Sequence, residues 1–267
     1  MGARTREDAR QAKLDQLRSR PRSKDTPHLT AHFAFQPETL HDGVSNFLDL
    51  ASRLVGTNRY VERWRHVRTP AEQKADAGLD IIARPQEFAG YLREKGASDT
   101  SFLISTTSES DAIPKPDPAY FTASIDYSGG TKVGRNNRLS FSGKNYSEAR
   151  EHTLSLNEWI NVISQIVEWR TPLFVAVGSR NYPIHDAVFD HRAWPGWMAW
   201  FPTRIDAHGL PAYALTVDIG EGTLVATQET NVITTDPLQV ERAKEVEIAL
   251  VEMGVLPTKD DLIGRVY

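Results

Sequence analysis

Residues 196–202 read Gly-Trp-Met-Ala-Trp-Phe-Pro. Side chains on a strand point alternately to its two faces. Trp197, Ala199 and Phe201 therefore face one way, and Met198 and Trp200 the other. A strand with large apolar groups on both faces belongs inside a sheet that is covered on both sides. Part of this aromatic set can instead serve as an exposed partner anchor, because Trp and Arg dominate interface hot spots. Trp194, ahead of the strand and beside Arg192, is the candidate for that role.

The rest of the chain supplies material for such a sheet and its cover. Leu29, Ala31, Phe33 and Phe35 alternate with Thr30, His32 and Ala34, a strand pattern. Leu40, Val44, Phe47, Leu48, Ala51, Leu54 and Val55 recur at helical steps, predicting a helix over 38–55. Residues 70–95 read as two helical pieces broken near Pro85. Ser155 and Glu158 make a capping box ahead of an apolar face that includes Trp159, Ile163 and Val167, predicting a helix over 155–170. Asp236-Pro237 opens a third clear helix, 236–253, packed through Val246 and Leu250. Phe102–Ile104 reads as a short strand, Tyr120–Tyr127 and Arg138–Phe141 as a hairpin, and Leu173–Val177 as a buried strand. Gly196–Phe201, Ala212–Ile219 and Thr223–Thr227 read as a meander with a tight turn at Gly220-Glu221. These elements predict an α+β fold: one domain over 28–267, a largely antiparallel or mixed sheet, and three to four helices packed on it. Residues 1–27 are expected to form a polar, loosely ordered segment.

Composition narrows the chemistry. The chain has 267 residues and no cysteine, so disulfides, thiolate metal sites and cysteine nucleophiles are excluded. No apolar run approaches the ~18 residues of a membrane span, and the charged N-terminus reads as no signal peptide. The expected location is cytoplasmic, with no membrane partner. Residues 1–25 hold eight basic and four acidic side chains, so the remainder carries −8 against a total of −4. An acidic body argues against direct nucleic-acid binding, which needs a basic face, and suits a basic protein partner.

Catalytic signatures are missing. No Gly-rich phosphate loop is present, and no Gly-x-Ser-x-Gly elbow surrounds Ser179. His185-Asp186 and Asp190-His191 offer nitrogen and oxygen donors for a divalent cation. Pro183 and Pro195 make that stretch read as irregular loop, with no helix to fix the ligand geometry. The sequence reading is therefore of a protein that is no enzyme, with no catalytic residue, metal or cofactor. A metal-dependent hydrolase using the His185–His191 loop is the alternative, and a non-catalytic adaptor of a secretion assembly is another. Two loops carry the candidate partner-binding residues. Glu109, Asp111 and Asp117 lie on the proline-stiffened Thr106–Pro118 loop; Asp186, Asp190, Arg192 and Trp194 lie on the second.

The stretch Trp194–Pro202, then Gly222-Thr223-Leu224-Val225, then Asp236–Ala243 through Glu247–Leu250 to Gly254-Val255-Leu256-Pro257, resembles the immunity protein 52 family of bacterial polymorphic-toxin systems. His32-Phe33-Ala34-Phe35 and Leu54-Val55-Gly56 fit as well, so the likeness spans most of 29–257. The resemblance implies an α+β antitoxin that binds a cognate secreted toxin, often a nuclease with a restriction-endonuclease-like fold, in the setting of type VI secretion. It carries no catalytic motif and assigns no interface residue.

Overall fold

The computed structural model describes residues 11–23, 25–66, 78–109, 123–132, 137–143 and 154–262. Its strands are β1 His28–Phe33, β2 Arg63–His66, β3 Leu79–Asp80, β4 Phe102–Glu109 and β5 Ala123–Gly129, followed by β6 Asn137–Gly143, β7 Phe174–Gly178, β8 Met198–Phe201, β9 Leu215–Ile219 and β10 Gly222–Ala226. They form one open ten-stranded sheet in the order β3-β2-β4-β5-β6-β1-β7-β8-β10-β9. Each neighbouring pair is antiparallel.

Among the described residues there are six helices, which corrects the expectation of three to four. They are α1 over 11–18, α2 Leu40–Leu54, α3 Pro85–Glu94, α4 Leu156–Trp169, α5 Asn181–His185 and α6 Pro237–Glu252. Proline explains part of the difference. Pro85 and Pro183 read as breaks, yet each sits in the first turn of a helix, α3 and α5. There a missing N–H leaves no bond unmade.

Two further readings are corrected. The loop expected from Thr106 begins later, because β4 runs on to Glu109, which stands opposite Arg63. The inward Thr106 and Ser108 look like loop residues but donate to backbone carbonyls of Arg65 and Tyr60 at 2.9 and 2.8 Å. The last three strands are no meander: β10 pairs with both β8 and β9. The tight turn at Gly220 is present, with φ +57°.

The register explains the layers. One row across the sheet is Ile104, Tyr127, Leu139, Ala31, Val175, Trp200, Leu224 and Val217, apolar from end to end. Helices α2 and α4 cover that face, with Phe47, Leu50, Trp159, Val162, Ile163 and Ile166 all buried. The adjacent row on the other face changes character along its length. It runs Ser105, Asp126, Ser140 and Thr30, then Ala176, Ala199, Val225 and Thr216. Its apolar part is covered by α6, whose Val246 and Leu250 pack in a second cluster with Phe174, Ala176, Ala199, Phe201 and Val225. Strand β8 is central and buried on both faces, Met198 and Trp200 in the first cluster and Ala199 and Phe201 in the second.

Candidate partner-binding surface

Strand β1 marks the boundary between the covered and the polar half of the second face. Leu29, Ala31 and Phe33 are buried under the helices. The alternate positions, His28, Thr30 and His32, point to the second face. Toward β4 that face continues as Arg138, Ser140 and Ser142 on β6, Ser124, Asp126 and Ser128 on β5, and Leu103, Ser105 and Thr107 on β4. Hydroxyls bridge neighbouring strands: Ser124 and Ser142 meet at 2.8 Å, and Ser105 donates to Asp126.

Two arginines stand on this stripe. Arg138, directly opposite His32, donates to Thr30 Oγ1 at 3.4 Å. Arg180, just past β7, donates to His28 Nε2 at 3.3 Å. Accepting there fixes the neutral His28 ring with its proton on Nδ1. Burial, then Arg180 and Arg138, push His28 down to about 4. Burial and then Arg138 push His32 to about 4. Arg138 is itself lowered, by burial and by Arg180, with Asp126 acting the other way.

Beside the stripe lies the loop that begins with α5. Its anchor is Glu247 of α6, fully buried, which accepts from Tyr182 Oη at 2.7 Å and from the amides of Val188 and Phe189 at 3.2 and 3.0 Å. Burial and then the Glu247 charge drive the Tyr182 phenol strongly upward. The end of α1 and the segment after it cross this loop. Arg18 pairs with Asp190 at 2.7 Å and donates to the Ile184 carbonyl at 2.8 Å. Arg22 takes both oxygens of Asp186, at 2.5 and 2.8 Å. Asn181 donates to the Ser23 carbonyl and to Asp25 at 2.6 and 2.9 Å, and Asp25 accepts from the Thr234 amide at 2.8 Å.

The candidate residues read from the sequence are thus dispersed in role. Asp186 and Asp190 are brought together under the N-terminal arm and are paired to it. Arg192 donates to the Leu256 carbonyl at 2.5 Å, and its Nε is buried without a partner. Trp194 is half-buried, its ring lying over Gly196, where an added Cβ would come within 2.4 Å of it. With φ +59° as well, Gly196 suits glycine alone. Glu109 ends β4; Asp111 and Asp117 lie outside the described residues. His185 closes α5 rather than sitting on irregular loop. Among the described residues no group of three or more His, Asp or Glu could hold a metal ion. No helix among them is long and apolar enough to cross a membrane.

His28, His32, Arg138 and Arg180 were not singled out by sequence reasoning. The alternation of His28, Thr30 and His32 against Leu29, Ala31 and Phe33 is the available signal. Nothing local says that β6 and β7 flank it.

No family model and no curated protein sequence matches the chain. Membership of the immunity protein 52 family is therefore not shown. Among solved structures, the Pseudomonas aeruginosa T6SS protein PA0821 is similar at 11% identity, over 86% of this chain and 74% of that one, with a TM-score of 0.46.

Proposed function

We propose that this chain is a non-catalytic binding protein of the antitoxin kind, which holds a secreted bacterial toxin and blocks it. The sequence resemblance over most of 29–257 supports that reading and supplies its finer content, a nuclease toxin with a restriction-endonuclease-like fold. The observation that carries it is the polar half of the sheet, which no helix among the described residues covers. Strands spaced by ~4.8 Å make β4, β5, β6 and β1 a platform about 15–20 Å across. Its side chains are held on a hydrogen-bonded backbone, so docking on it orders little that is not already ordered. A face of Ser, Thr, His and Arg suits a polar protein surface rather than a small substrate, which needs a concave site.

The test is genetic and then physical. A toxin gene is expected beside this one, and expressed alone in a bacterial host it should arrest growth. Co-expression of this chain should restore growth, and the two proteins should elute together as a stoichiometric complex. Continued arrest with no complex would reject the reading. Hydrolysis that depends on His185 and His191, or stable incorporation into a secretion assembly, would replace it.

A further inference from the structure

We propose that the stripe along β1, formed by Arg138, Arg180, His28 and His32, receives the carboxylates of an acidic segment on the partner protein. This deepens the binding reading above and rests on it for the class of partner. The first ground is pairing. Among the described residues Arg18, Arg22, Arg53, Arg59, Arg84, Arg170 and Arg204 each have a carboxylate within ion-pair distance, whereas Arg138 and Arg180, like Arg20, Arg93, Arg192 and Arg242, have none. The Arg138 and Arg180 side chains both reach solvent, and among the described residues each side chain donates a single hydrogen bond, to Thr30 and to His28. The acid that acts on Arg138, Asp126, takes the Ser105 hydroxyl.

The second ground is placement. Two guanidiniums repel, as the lowering of Arg138 by Arg180 shows, and an anion between them relieves that repulsion. Both histidines are neutral at pH 7 and add no further positive charge. The buried His32 Nδ1 has no hydrogen-bond partner, an unmet polar atom in the same stripe. Arg180 is tethered at His28 and Arg138 at Thr30, two residues along one strand, so the tethering points are ~7 Å apart. Acidic side chains at alternate positions of an extended segment, or at i and i+4 of a helix, have about that spacing. Guanidinium takes a carboxylate through paired N–H donors.

The third ground separates the kinds of anion. A nucleic acid needs an extended basic track. Two arginines on a chain of net charge −4 do not make one. A small free anion is held best by an enclosing cavity, and here it would engage the two guanidiniums alone. A protein carboxylate arrives with its neighbours, and the adjacent Ser140 hydroxyl can bond those.

The probe is hexaglutamate, titrated into the full chain at low salt while the histidine ring signals are followed by NMR. The His28 and His32 signals should move saturably, and the Arg138→Gln/Arg180→Gln variant should bind at least tenfold more weakly with unchanged thermal unfolding. Arg204→Gln, on a distant ion pair with Asp218, should bind like wild type. Absent shifts, equal binding by the double variant, displacement by an equal concentration of sulfate, or tighter binding of a hexanucleotide would each overturn the inference. Relief of toxin arrest separates the two readings. Full relief by the double variant removes the stripe and leaves the antitoxin reading. Hexaglutamate binding by a wild type that gives no relief does the reverse.

Discussion

Trp159 illustrates how unevenly a buried residue can contribute. Its ring is 1% exposed and stands edge-on to Phe141 at 5.7 Å, yet its Nε1 has no hydrogen-bond partner. Trp159→Ala should cost about 3–5 kcal/mol through the cavity left behind. Trp159→Phe keeps much of the packing and removes the unpaired donor, so it should cost under about 2 kcal/mol. Urea unfolding of the two variants checks the difference, and equal losses would mean the indole nitrogen is satisfied in solution. Glu247 is the opposite case, a buried carboxylate holding three donors. Glu247→Ala strands the Tyr182 hydroxyl and two amides, and should destabilise by about 3 kcal/mol or more. The loop from α5 to Phe189 should loosen before the rest, visible as faster amide exchange there.

The elements carry their own pH dependence. At the start of α4, burial alone would raise Glu158. The Arg59 guanidinium and the Ser155 donors more than offset that and hold it at about 2. Unfolding returns it to an ordinary value near 4.5. The stability it supplies is therefore complete above pH 4.5 and is lost as pH falls toward 2. On β1 the histidines work in a higher window. Folded values of about 4 against 6.5 unfolded mean that the unfolded chain binds more protons between those values. Stability then falls as pH drops from 6.5 toward 4. Denaturant midpoints measured across both windows should decline in each. His28→Gln/His32→Gln should flatten the upper decline and Glu158→Gln the lower one. A variant with the wild-type slope in its window would contradict the assignment.

At the scale of the molecule, one sheet serves two layers of different extent. Helices α2 and α4 cover the first face, while α6 covers only the β7–β10 end of the second. The N-terminal arm then ties that end together: Arg18 and Arg22 reach the α5 loop, and Asp25 reaches both Asn181 and Thr234. Partly exposed ion pairs are individually weak, so the arm acts through several bonds at once. Arg18→Gln/Arg22→Gln should speed amide exchange in 181–191 by about tenfold while leaving the global unfolding midpoint nearly unchanged. Exchange at the wild-type rate would show that Glu247 alone secures the loop. The same pairing means that Asp186 and Asp190 face a partner as members of salt bridges. The antitoxin reading therefore leans on the open sheet face more than on those acids.

Much of this was legible locally. The capping box at Ser155 and Glu158, the apolar faces of the helices at 38–55, 155–170 and 236–253, and the two-faced burial of β8 follow from periodicity and from the size of the side chains. Those are short-range facts, set by 3.6-residue and two-residue repeats within one segment. The polar stripe was half legible: alternation puts His28, Thr30 and His32 on one side, but strand neighbours come from far along the chain. Arg138 reaches β1 only because β6 pairs there, and Arg180 because β7 pairs on the other side. The arm was illegible for the same reason, since Arg18 and Asp190 are 172 residues apart. Sequence by itself determined which segments must bury a face and which face it is. Tertiary structure decided which polar faces stay uncovered and which charges find each other, because pairing order depends on contacts that no local pattern encodes.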